Sequence, residues 1–413
     1  MHYNFYFDET FHDRKITIKP SGVINTFTEN KNDSYVGVFW GYDNTRSSFV
    51  TKRLHVLESK YRKRFGMDGE FKSTSIGKKN FARGIRSFNP DVLAFYRDLF
   101  DLLEKISPII HVNAVSKIEY LVRKIFDVHL LKQVPGVHEN AFYYSITKFI
   151  LTYHSSALIQ ALYGSADTGA PNLFREELLN HLEEVISATK GITRKEREII
   201  ALRQLHMIVS LIPMVGTITT KYEFVYNQNF VGLLRLLDER KISPQRVHLV
   251  IDQEESTFQA AKNYPFKSVR QADSTNSVYV RLADHLCGFI GRMMHALMDD
   301  KSFTEDPVTD IERIRENDLV RKRLLSEEWF DLKAEHFSLY KSAYRVLIVQ
   351  QEAYWATMTW SYFDQVSVFY SLLRYIASYN RYEDYQKHSA AMHSEYFNSA
   401  CCNELEAGYS SFS

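Results

Sequence analysis

The sequence predicts an α/β protein: a mixed β-sheet core, split by a large helical insertion and followed by a helical C-terminal extension. Three observations predict it. Segments rich in β-branched and aromatic residues open the chain and return after residue 241. The stretch between, Lys117 to Lys241, carries the helical period, broken at Pro135-Gly136, Gly164 to Pro171, Gly191 and Pro213 to Gly216. From residue 301 the pattern is again helical and strongly aromatic.

Each element follows from local pattern. Tyr3 to Asp8 alternates, with Tyr3, Phe5 and Phe7 on one side and Asn4, Tyr6 and Asp8 on the other. Lys15 to Lys19 and Ser34 to Tyr42 read as two further strands, which suggests an antiparallel meander. A helix from Ser47 to Phe65 is stopped by Gly66, and Gly69 to Ser73 reads as a short extended segment. Asp91 to Ile106 is helical and Pro108 to Val115 strand-like. After the insertion, Arg246 to Asp252 and Phe266 to Arg270 read as strands and Ser256 to Asn263 and Ser277 to Met298 as helices. The expected units are therefore a core of residues 1–116 and 242–300, an insertion of 117–241, a helical region of 301–400 and a disordered tail of 401–413.

Bulk composition excludes several classes. Across 413 residues, 45% are apolar and 24% charged, as in ordinary globular proteins. The net charge of +1 gives no general signal for nucleic acid or membrane. Three cysteines (Cys287, Cys401, Cys402) make no disulfide framework and no zinc spacing. The longest apolar run, Met207 to Val215, carries Pro213, and the N-terminus enters a strand at once. A cytoplasmic protein without a membrane partner is expected.

Charge is unevenly spread. Between Lys52 and Arg86 eleven Lys or Arg stand against three acids, a net of +8, so the remainder carries −7. Taken alone, such a run reads as a solvated helix face. Beside a carboxylate cluster it would suit a polyanionic substrate, with Lys60, Arg62, Lys63, Lys78 and Lys79 as candidate phosphate contacts.

The carboxylates are the feature that points to chemistry. Asp8 and Asp252 each end an apolar strand, and strands that end together bring such residues within reach of a shared cation. Asp284 lies on a helix side with Val280, Cys287, Gly288 and Gly291, small enough for close packing on a sheet. A lone acid on that side needs a cation or donors, or else an ion pair with Arg281 or Arg292 at the helix surface. Glu70 and Lys72 share a face at spacing two if their segment is extended, which would stand a ligand beside an ammonium or else form a charged strand edge. Carboxylates gathered in this way hold hard cations such as Mg2+ or Mn2+, and two ions about 4 Å apart hydrolyse phosphodiesters.

Phe-Asp-Glu-Thr, Gly-Glu-Phe-Lys, Leu-Val-Ile-Asp and Leu-Ala-Asp-His-Leu-Cys-Gly occur in that order. The order resembles the bacterial family known as domain of unknown function 3800, whose members look like RNase H-like nucleases. That family opens with a strand ending Asp-Glu-Ser-Gly and continues with a Glu-x-Lys step and a hydrophobic strand ending in Asp. It closes with a Ser-rich turn before an Ala-Asp-x-x-x-Gly helix. Here Asp8-Glu9, Glu70 with Lys72, Asp252, and Ala283-Asp284 with Gly288 fill those places, and Ser274 and Ser277 lie in the turn. Thr10-Phe11 replaces Ser-Gly, and the insertion is long. The resemblance covers about a third of the chain and implies an RNase H-like core. It implies Asp8, Glu70, Asp252 and Asp284 as ligands of two Mg2+ or Mn2+ ions, Lys72 as a catalytic partner, and Glu9, His285 and Ser274 as supporting residues.

Other residues read more plainly. A helical neighbour points about 100° away, so His285 reads as structural rather than as a proton shuttle for Asp284. His12 and Asp13 follow the first strand as loop residues. Asp68-Gly-Glu70-Phe-Lys72 also resembles half of a PD-(D/E)xK nuclease site, for which Glu58 would be the upstream acid. The aromatic stretch from Tyr354 to Tyr375 is too apolar for open solvent, so it should be buried in the chain, against a second copy or against a protein partner. The expected activity is metal-dependent cleavage of RNA or DNA, with a place in a bacterial defence or toxin system. The rival expectation is a catalytically idle module that binds nucleic acid or a protein partner through its helical half.

Overall fold

The computed structural model describes residues 1–10, 34–213, 227–300 and 324–409. The expected strand at Lys15 to Lys19, together with His12 and Asp13, lies outside the described residues. The strands are β1 (Tyr3–Thr10), β2 (Ser34–Asp43), β3 (Ala82–Ile85), β4 (Ile109–Ser116), β5 (Val247–Ile251), β6 (Ser268–Gln271) and β7 (Ala356–Met358). Six of them form one mixed sheet in the order β6-β5-β1-β2-β4-β7. β1 runs antiparallel to β2 and parallel to β5, β2 antiparallel to β4, and β7 and β6 extend the two edges in parallel. This is the mixed α/β architecture that the β-rich segments predicted.

Helix α1 (Ser47–Arg64) ends before Gly66, whose φ of 65° reverses the chain. Helix α2 (Pro90–Ile106) begins under an Asn89 cap with proline at its first position. Between the sheet segments come α3 (Lys117–Ile125), α4 (Val128–Leu131), α5 (Glu139–Tyr153), α6 (Ser156–Thr168), α7 (Pro171–Thr189), α8 (Glu196–Leu211) and α9 (Asn227–Glu239). Helices α10 (Glu255–Ala261) and α11 (Val278–Asp299) follow β5 and β6.

The period of two along β1 divides the core. Tyr6, Val38, Trp40, Val112 and Val250 face α1, α2, α11 and the C-terminal helices. Phe5, Phe7, Phe39, Leu249 and Ile251 face Phe230, Leu233, Leu236 and Leu237 of α9, and Ala261 at the end of α10. A third core, from Ile118 to Ile212, is built within α3 to α8.

Three expected boundaries shift. Helix α9 falls inside the predicted insertion of 117–241, yet its Leu-rich side covers the sheet, so the self-contained part of the insertion ends near Ile212. The region after residue 301 supplies β7, which pairs with the exposed edge of β4 instead of remaining wholly helical. Residues 401–409 continue the helix Ala390–Tyr409, with Cys401 and Leu405 buried, because these two apolar side chains fall on the side that meets Phe363–Ala377. The aromatic C-terminal stretch is largely internal: Tyr362, Phe369, Leu372 and Leu373 belong to the main core.

Candidate metal centre

Asp8 and Asp252 come together through the sheet. The last registered pair between the parallel strands β1 and β5 is Phe7 with Ile251, and the two aspartates are the next residues. They share the face of Tyr6 and Val250, the one crossed by α11. Each carboxylate accepts a hydrogen bond from the amide that follows it: Asp8 from Glu9 at 2.8 Å and Asp252 from Gln253 at 2.9 Å.

Helix α11 brings the third acid. Its Cys287 thiol donates to the Val36 carbonyl at 2.9 Å, fixing the helix against β2. Asp284, one turn earlier, accepts from both donors of Ser73: the backbone N–H at 2.6 Å and the hydroxyl at 2.7 Å. The ion pairs to Arg281 or Arg292 that the sequence allowed are absent. Arg281 instead pairs with Glu58 and reaches the Ser274 carbonyl, and Arg292 donates to the Ile76 carbonyl at 2.6 Å. Glu58, the upstream acid of the PD-(D/E)xK alternative, is thereby engaged by Arg281.

Electrostatics register the convergence. Burial pushes the Asp8 carboxyl well above its ordinary range, and the charges of Asp284, Glu9 and Asp252 add to it against the pull of the Glu9 amide. The Cys287 thiol is pushed up by burial and by Asp8, Asp284 and Glu9. Glu9 points to the other face, where Thr257 donates to one of its oxygens at 3.3 Å. Its second oxygen is buried without a hydrogen-bond partner. Burial, with Glu254 and Asp252, takes Glu9 up to about 8, although the Thr257 bond opposes the shift.

Glu70 and Lys72 lie on an irregular segment outside the sheet, so no strand sets their shared face, and their ion pair measures 3.1 Å. Burial disfavours the Lys72 charge, but the bond and charge of Glu70 and the charges of Asp252 and Asp284 outweigh it, so its pKa rises. The Lys72 ammonium thus feels the charge of the aspartates, to which the neighbouring Ser73 ties this segment directly. One Glu70 oxygen, Oε1, is buried and unpartnered.

The supporting residues serve the backbone. The His285 Nε2 lies 3.0 Å from the Phe71 carbonyl, and its ring packs between Phe71 and Phe95. Burial lowers its pKa against the charge of Asp284. It is the structural histidine that helix geometry predicts. Ser274 is buried in the turn before α11, its carbonyl held by Arg281.

The basic run is less free in space than in sequence. Lys60 pairs with Asp98 at 2.5 Å, and Arg62 donates to the Asp68 carbonyl at 2.9 Å. Arg64, Arg83 and Arg86 meet Asp91, Glu328 and Asp331, acids that all come from beyond the run. Lys63, Lys78 and Lys79 are exposed.

Among the described residues no three His, Cys, Asp or Glu side chains already form a chelating group. No described helix is long and apolar enough to cross a membrane. No family model, curated protein or solved structure matches the chain. Sequence reading did not single out Ser73, Glu254 or Thr257; only the position of Ser73, directly after Glu-x-Lys, marked it at all.

Proposed function

We propose that the chain is an RNase H-like nuclease of the domain of unknown function 3800 type, dependent on Mg2+ or Mn2+. The observation that carries this reading is the meeting of Asp8, Asp252 and Asp284 from three distant segments on one side of the sheet, with Lys72 beside them. The donors suit hard cations, because every candidate ligand is a carboxylate oxygen. A buried, unpartnered carboxylate oxygen on Glu70 and the mutual repulsion at Asp8 describe a place short of positive charge. Asp8, Asp252 and Asp284, with Glu70, would hold the ions. A bound divalent ion supplies an activated water and neutralises charge developing on phosphate oxygens.

The chain's own groups account for the remainder. Lys72, kept protonated by Glu70, Asp252 and Asp284, steadies a phosphate next to the aspartates. His285 and Cys287 fix α11 so that Asp284 stays in place. Exposed Lys63, Lys78 and Lys79 would meet a nucleic-acid backbone at longer range.

The competing reading is a catalytically idle module that binds nucleic acid or a protein partner. On its side stands the absence, among the described residues, of a chelating group ready made. One experiment separates the two: labelled single- and double-stranded RNA and DNA incubated with the protein in Mg2+, Mn2+ or chelator. Cleavage that needs the ion and disappears in Asp252→Asn supports the nuclease. Retention of nucleic acid without cleavage under every condition supports the idle module.

A further inference from the structure

The geometry points to Ser73 as the residue that positions Asp284 for cation binding, an inference that rests on the metal-site reading above. Ser73 addresses both oxygens of Asp284 with two different donors, at 2.6 and 2.7 Å. A carboxylate held by both oxygens cannot rotate about its last bond, so its remaining lone pairs keep a fixed direction. Groups of this kind, bonded to a ligand rather than to the ion, tune metal sites.

The surroundings are shaped for this contact. Gly288 lies one turn beyond Asp284 on the same side of α11, and a Cβ there would stand 2.4 Å from the Ser73 Cβ and 2.5 Å from its Oγ. Glycine is what lets Ser73 come close enough to the helix to reach Asp284. Two residues earlier, the Phe71 carbonyl lies 3.0 Å from Nε2 of His285. Helix α11 thus grips the segment at Phe71 and Ser73, alternate positions that leave Glu70 and Lys72 to pair with each other near the aspartates. Ser73 is itself buried, so its hydroxyl is reserved for this contact.

The test is Mn2+ titration of the whole protein by calorimetry, without substrate, alongside thermal melts in chelator. Wild type is expected to bind Mn2+. Ser73→Ala, which removes only the hydroxyl, should bind about 10–100-fold more weakly while melting as the wild type does. Gly288→Ala is the second variant: it displaces Ser73 but keeps its hydroxyl, and should weaken Mn2+ binding in the same direction. The proposal requires the loss of affinity in whichever variant melts normally. Unchanged Mn2+ affinity in a normally melting Ser73→Ala protein overturns it. So does a failure of both variants to melt cooperatively, which would make the contact purely structural. A wild-type protein that binds no Mn2+ overturns the metal-site reading itself, a result distinct from the other two.

Discussion

Asp8 and Asp252, 244 positions apart in the numbering, follow the registered pair Phe7–Ile251 on neighbouring parallel strands, and so end the two strands side by side. Their proximity puts two carboxyl groups on one face of the sheet, under a helix that brings a third. Asp8→Asn or Asp252→Asn should abolish divalent-dependent cleavage, by about 10³-fold or more if the acid binds an ion directly. The metal-free Tm of Asp8→Asn should hold or rise, since one member of a repelling group is gone. Wild-type cleavage by either variant would remove that residue from the site.

The pH dependence of stability has a definite sign. Asp8 and Glu9 have native pKa values raised above those of the unfolded chain, Glu9 to about 8. The native state therefore binds protons that the unfolded chain has released. The stabilisation is complete below the ordinary carboxylate value and is lost as pH rises through the native one. In metal-free protein this contribution should be lost between about pH 5 and pH 9. It is read as the difference in Tm from an Asp8→Asn, Glu9→Gln double variant, which cancels the opposite trend of buried His111 and His285, whose pKa values are lowered. Added Mn2+ should restore it, most at the alkaline end, because the ligands bind as carboxylates. Melts of both proteins across pH, with and without Mn2+, check this; a metal-free wild-type Tm that falls no further than that of the double variant between about pH 5 and pH 9 would contradict it.

Exposed cations and those already paired should behave differently. Reversing Lys63, Lys78 and Lys79 together should weaken nucleic-acid binding and flatten its salt dependence by about one counterion per lost phosphate contact. Reversing Lys60 sets a negative charge against Asp98 and should lower stability by about 1 kcal/mol or less, given its exposure. Binding isotherms at several salt concentrations measure the first effect and denaturant melts the second. An unchanged salt slope in the triple variant would mean that this face does not meet phosphate.

The end of the chain should matter to the fold. Truncation after Asn398 removes buried Cys401 and Leu405, the Glu404 bonds to Ser371 and Arg374, and the Tyr409 hydroxyl bond to Asp364 at 2.6 Å. Loss of one buried Leu side chain alone costs about 2–5 kcal/mol. The truncated protein should melt several degrees lower, and a Tm equal to that of the full chain would show the last helix to be dispensable.

Buried Glu119 makes a further test of how the insertion is attached. Its carboxylate accepts from the amides of Trp360 at 3.2 Å and Ser361 at 2.7 Å, and pairs with Arg123 at 2.7 Å. Glu119→Ala should destabilise by about 2–4 kcal/mol, because it leaves the amides of Trp360 and Ser361 without their acceptor, while half-buried Arg123 can turn to solvent. Denaturant unfolding checks the size, and a change under 1 kcal/mol would show that the insertion is held by other contacts.

The sequence by itself determined the elements whose causes are local. Alternation from Tyr3 to Asp8 set the two faces of β1, Gly66 and Asn89-Pro90 bounded α1 and α2, and helical spacing turned His285 away from Asp284. It also brought out Asp8, Asp252 and Asp284, because an acid at the end of an apolar strand, or among small residues on a helix, stands out against its neighbours. Tertiary structure decided what depends on partners distant in the chain. β7 is only three residues long and has no strand signal of its own; the open edge of β4 makes it a strand. The basic run, a solvated helix face when taken alone and a phosphate surface beside the acids, is in part neutralised by Asp91, Asp98, Glu328 and Asp331, all from outside it. The tie between Ser73 and Asp284 spans 211 residues, and no local propensity encodes it. It exists because Gly288 leaves room for it, and that room appears only when α11 lies against the Glu70–Ser73 segment.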